Sequence, residues 1–105
     1  MTEYRVVLMT CGGEEEARKI AEALVEENLA ACVNVVPGAT SIYRWEGKVR
    51  RDPEVLLIAK TREKRLRDLE SRVKDLHSYT VPEVVALPVV AGSKDYLDWV
   101  KEVCW

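Results

Sequence analysis

Tyr4 to Thr10 (YRVVLMT) is apolar or β-branched on both sides of its alternation, which predicts a strand buried on two faces. Cys11-Gly12-Gly13 breaks the run. From Glu14 to Leu29 the apolar residues Ala17, Ile20, Ala21, Leu24 and Val25 recur at the spacing of one helix face. Glu14, Glu15 and Glu16 fill the first turn, where the macrodipole favours negative charge. Ala31 to Val36 is a second strand, kinked or bulged at Pro37-Gly38 and resumed as Ala39 to Glu46. It turns at Glu46-Gly47-Lys48, meets an expected irregularity at Arg50 to Pro53, and continues as the strand Glu54 to Thr61 (EVLLIAKT). Arg62 to His77 carries Leu66, Leu69, Val73 and Leu76 as a narrow helical stripe. Its outer face offers opposite charges four apart at Glu63/Arg67, Lys64/Asp68, Asp68/Arg72 and Glu70/Lys74. Glu83 to Ala91 reads as a fourth strand, with Pro88 marking an edge or bulge. Ser93 caps a last helix whose inner face is Tyr96, Leu97, Val100 and Cys104.

The order β-α-β-β-α-β with a short C-terminal helix predicts an α+β fold, a ferredoxin-like sandwich with helices on one face. Residues 1–105 are expected to form a single domain. From Cys32 to Glu46 the second strand counts 15 residues, an extended reach of roughly 50 Å. A domain of this length has a radius of gyration near ~13 Å. The hairpin must therefore overhang its own core or bend. A lone two-stranded ribbon carrying Ile42, Tyr43 and Trp45 is marginal in water, so another copy of the chain is expected to cover it.

Composition narrows the function classes. Sixteen Lys and Arg against eighteen Asp and Glu leave a formal charge of −2, without the positive footprint of a nucleic-acid binder. No apolar run has the length of a membrane span, and the acidic start does not resemble a secretory signal, which leads to an expectation of the cytoplasm. The three cysteines, Cys11, Cys32 and Cys104, form no CxxC, so neither a disulfide framework nor a structural zinc site is expected. The absence of Gln and the wealth of ion-pairing side chains fit a thermophilic source.

Candidate chemistry is sparse. Cys11, beside two glycines, reads as a soft ligand or reactive thiol, or as a buried inert one, which is the reading for Cys32. His77, the only histidine, either caps its helix or serves as a metal ligand or acid-base group, with Tyr79 and Glu83 near it. Lys60 either reaches solvent, meets an anionic ligand, or pairs with Glu46 or Glu83. Tyr43 and Trp45 suit an interface better than a ligand cleft. Neither a nucleophile-histidine pair nor paired carboxylates are recognisable.

Leu29-Ala30-Ala31-Cys32-Val33-Asn34, the block Pro37-Gly38-Ala39-Thr40-Ser41-Ile42-Tyr43-Arg44-Trp45-Glu46-Gly47-Lys48, and His77 through Glu83 resemble the divalent-cation tolerance family CutA over nearly the whole chain. The resemblance implies a cytoplasmic homotrimer of ferredoxin-like subunits with hairpins packed between them, similar in architecture to PII signalling proteins. It implies tolerance to divalent metals, copper especially. Copper ligands assigned in some bacterial members are a first-strand Cys and two adjacent His. Those positions are Met9 and Leu76-His77 here, so the expected metal ligands are His77 and Cys11. The family pattern also places Tyr43, Trp45, Glu46, Lys60, Tyr79 and Glu83 along an inter-subunit cleft. The resulting expectation is a non-enzymatic homotrimer that weakly binds copper or another divalent metal ion and contacts neither membrane nor nucleic acid. The alternatives are a PII-like sensor or scaffold holding a small ligand in the cleft, or an enzyme using Lys60 and Glu83 on a small anion.

Overall fold

The computed structural model describes residues 2–105. Its elements are β1 (Tyr4–Cys11), α1 (Glu14–Glu26), β2 (Cys32–Trp45), β3 (Lys48–Arg62), a 3-10 turn (Glu63–Arg65), α2 (Leu66–Leu76), β4 (Val84–Pro88) and α3 (Lys94–Val103). The strands form one antiparallel sheet in the order β2-β3-β1-β4, the ferredoxin-like arrangement expected. Alternation along β1 and β3 turns Val7, Met9, Cys11, Val55, Leu57 and Ala59 to one face. There Ala17, Ile20 and Leu24 of α1 and Leu69 and Val73 of α2 bury them. A smaller cluster of Ala31, Val100 and Cys104 seats α3, joined by the Thr61 hydroxyl, which donates to the Leu29 carbonyl at 2.7 Å.

Among the described residues, the opposite face of the sheet has no helical cover like this. Leu8, Leu56 and Ile58 are half-buried there, while Val85 and Leu87 of β4 stand exposed. The hairpin projects beyond the core and stretches the molecule to 44 × 25 × 23 Å, as its length required. Its bulge falls at Pro37-Gly38, between the pairs Val36↔Leu56 and Ala39↔Glu54, with Gly38 at φ +86°.

Several boundaries move from their expected places. β3 runs unbroken through Arg50 to Pro53. Beyond Val55 only β2 pairs with it, so the ring of Pro53 displaces no second ladder. α1 ends three residues early because Asn28 turns left-handed at φ +59° and the Leu29 and Ala30 amides return to the Leu24 carbonyl. Arg62 stays in β3, paired with Tyr4 and ion-paired to Glu3 at 2.8 Å, so α2 starts later. β4 stops at Pro88, opposite Arg5, where β1 is nearly exhausted and proline offers no donor.

Of the four charge pairs expected on α2, only Glu70/Lys74 forms, at 3.6 Å. Glu63 turns instead to Arg5, Arg72 to Glu27 of α1, and Asp68 to Arg65. Cys32 is half-buried rather than sealed, because it lies at the start of an edge strand.

Candidate metal centre

Three elements converge at one end of the sheet. β1 delivers Thr10 and Cys11, the first turn of α1 delivers Glu16, and the residue that ends α2 is His77. One donor atom from each of Cys11, Glu16 and His77 lies within 4.8 Å of the others. Cys11 is fully buried, His77 is nearly so, and Glu16 is half-buried.

The imidazole is held at both nitrogens. Nδ1 accepts from the Tyr79 amide at 3.0 Å, so the ring proton sits on Nε2, which donates to the Thr10 carbonyl at 2.7 Å. A histidine that gives its second N–H to a carbonyl is oriented as metal-binding histidines are, with Nδ1 as the coordinating atom. The Tyr79 amide occupies that lone pair. Glu16 Oε2 accepts from the Ser78 amide at 2.8 Å, which ties the loop after α2 to the start of α1. Burial pushes the Cys11 thiol up to about 11, and the negative charges of Glu16 and Glu54 add to the effect. Of these causes only the two carboxylates favour a cation beside the sulfur; the burial itself opposes one.

A second layer covers the centre. The Tyr79 ring lies 4.6 Å from that of His77, and its hydroxyl donates to Glu54 Oε2 at 2.8 Å. Gly12 passes beneath; a Cβ there would come within 3.2 Å of the Tyr79 hydroxyl oxygen. The bond to Glu54, followed by burial, raises the Tyr79 phenol from 10.0 to about 12. The folded state therefore keeps this proton where the unfolded chain releases it. Stability from this group is complete below pH 10 and is lost as pH rises from 10 to about 12. Tyr79→Phe should cost about 1–2 kcal/mol at pH 7 by leaving the Glu54 carboxylate short of a donor. It should also flatten the fall of the urea midpoint across the alkaline window. An unchanged midpoint at both pH values would show that the bond carries no stability.

The cleft residues do not converge within one chain. Tyr43 donates to Asp52 across the hairpin, Trp45 is exposed near its tip, and Glu46 faces Arg50 at 3.8 Å. Lys60 donates to Asn34 on the neighbouring strand and pairs with neither Glu46 nor Glu83. Glu83 is exposed just before β4, and no hydrogen bond or ion pair among the described residues joins it to His77. Tyr79 alone of that group reaches the centre.

Met9 is sealed in the core under the helices, apart from the donor atoms of the cluster. Glu16 and Glu54 were missed by the sequence reading. By sequence Glu16 is one of three glutamates suited to the macrodipole, in the first turn of the helix that starts just after Cys11. A hollow along α1 and Arg72 is lined mostly by charged side chains and includes none of these residues.

Residues 5–103 match the family described as CutA1 divalent ion tolerance protein. A Thermus thermophilus protein named divalent-cation tolerance protein CutA is 61% identical over 97 residues, covering 92% of this chain and 94% of that one. Human protein CutA is 48% identical over 95 residues, or 90% of this chain, and this chain spans about half (53%) of its length. Among solved structures, the T. thermophilus Cut A1 protein superposes with a TM-score of 0.93 at 60% identity, covering 94% of this chain and 96% of that one. CutA from Xylella fastidiosa superposes with 0.96 at 36% identity, covering 98% and 99%.

Proposed function

From its membership of the CutA1 divalent ion tolerance family, to which this chain belongs, we propose that the protein acts in metal tolerance by binding a metal ion at Cys11 and His77, without catalysis. The observation that carries the reading is the convergence of Cys11, Glu16 and His77 at the end of β1. Binding is weak because it is coupled to two losses. The Cys11 thiol, held near 11, must give up its proton, and the Tyr79 amide must leave Nδ1. Copper or another divalent ion is the cargo.

The working form is a homotrimer in the cytoplasm. What supports the trimer is the pair of surfaces that a single chain leaves open: the apolar back of the sheet and the projecting aromatic hairpin. No helix among the described residues is long and apolar enough to cross a membrane.

Calorimetric titration of the metal-free protein with Zn2+, Cu2+ and Cu+ tests the site. Saturable binding of one ion per chain, weakened about 100-fold or more in Cys11→Ser and in His77→Ala, is the expected result. Weak, non-stoichiometric binding indifferent to both substitutions would overturn it and make the family's metal phenotype indirect here.

A further inference from the structure

Building on the metal-binding reading above, we propose that Glu16 is the third ligand of the centre, and that its charge fits the site to a divalent ion of the zinc type over monovalent copper. Charge is the first ground. A bound ion would meet the Cys11 thiolate, the Glu16 carboxylate and a neutral His77 ring, two negative charges in all. Cys11 is fully buried and His77 nearly so, and a buried site is costly unless its net charge is close to zero. A doubly charged cation brings the set to neutrality, whereas a singly charged one leaves an uncompensated negative charge in a site whose cover, Tyr79, already binds a further carboxylate, Glu54.

Ligand chemistry is the second ground. Thiolate, imidazole and carboxylate together are donors that zinc accepts, while monovalent copper prefers soft sulfur and gains little from a carboxylate oxygen. Geometry is the third. The three donor atoms already lie within 4.8 Å of one another. Around a tetrahedral ion with bonds of about 2.0–2.3 Å they must close to roughly 3.5 Å. Glu16 can supply that movement, since it is half-buried on the first turn of α1 and the Ser78 amide engages only Oε2. The fourth position falls to water or to a ligand from outside.

The test is Glu16→Gln, which keeps the shape and an acceptor for the Ser78 amide and removes the charge. Glu15→Gln, on the exposed side of the same turn, serves as the control for general surface charge. Zn2+ affinity is measured by calorimetry and Cu+ affinity by anaerobic competition with a chelator. Expected is a loss of Zn2+ affinity of about 100-fold in Glu16→Gln, with Cu+ affinity unchanged or improved and less than about 3-fold change for either ion in Glu15→Gln. An equal loss for both ions, or a Zn2+ loss no larger than in Glu15→Gln, overturns the assignment of Glu16 while Cys11- and His77-dependent binding still stands. Failure of the unsubstituted protein to bind either ion overturns both. Unfolding of metal-free Glu16→Gln at the unsubstituted midpoint confirms that any loss is one of coordination.

Discussion

Leu57→Ala is expected to destabilise the chain by about 3–4 kcal/mol. Leu57 has no exposed surface, lies on an interior strand between Met9 of β1 and Val35 of β2, and points into the layer that α1 and α2 close. With neighbours held on both sides by ladder hydrogen bonds, the cavity cannot collapse, so the transfer loss and the cavity term add. Against a total of about 5–15 kcal/mol for an ordinary domain, that is a large share. Urea unfolding at fixed protein concentration measures it. Leu56→Ala is the informative companion, because Leu56 is only half-buried and faces the open side. A cost for Leu56 well below that for Leu57 is expected if one chain stands alone, and a comparable cost if copies cover that face. A Leu57→Ala cost under about 1 kcal/mol would refute the packing described.

The second large effect concerns assembly. Trp45→Ala combined with Tyr43→Ala should convert the proposed trimer to smaller species on dilution, raising the concentration for half-dissociation by about 100-fold or more. Both side chains are exposed on one chain, at alternate positions and so on one face of the hairpin arm. Exposed aromatic residues on a ribbon that cannot stabilise itself are the residues that dominate an interface once covered. Tyr43→Phe separates the hydroxyl's bond to Asp52 within the hairpin from the ring's contribution between chains. It should leave assembly nearly intact. Light scattering across a dilution series measures the mass, and a mass unaffected by the double substitution would exclude the hairpin aromatics from the interface.

Much of this architecture was legible because it is local. The alternation of β1 and β3, the helical spacing of Ala17, Ile20 and Leu24, the Ser93 cap and the Pro37-Gly38 bulge each depend on near neighbours in the chain. Errors gathered where distant partners intervened. Arg62 looked helical until Glu3 and Tyr4 held it in the sheet, and the charges of α2 chose Arg5 and Glu27 over their own neighbours. The candidate centre divides in the same way. Cys11 and His77 stood out by residue type, while Glu16 did not, because one glutamate among three at a helix start carries no mark of its role.

What the sequence determined by itself is the order of elements, the sandwich they form, the overhanging hairpin and, through the blocks from Pro37 to Lys48 and from His77 to Glu83, the family. These follow from periodicity, turn chemistry and residue identity, all of which a linear string records. Only the tertiary structure decided that the end of β1, the start of α1 and the end of α2 meet, placing Glu16 against Cys11 and His77. It alone showed the ring of His77 held between Thr10 and Tyr79, and Lys60 turned away to Asn34. The reason is physical: a donor set is a matter of separations of a few ångströms between residues as many as 66 positions apart, from Cys11 to His77, and those separations are fixed by how the helices pack on the sheet.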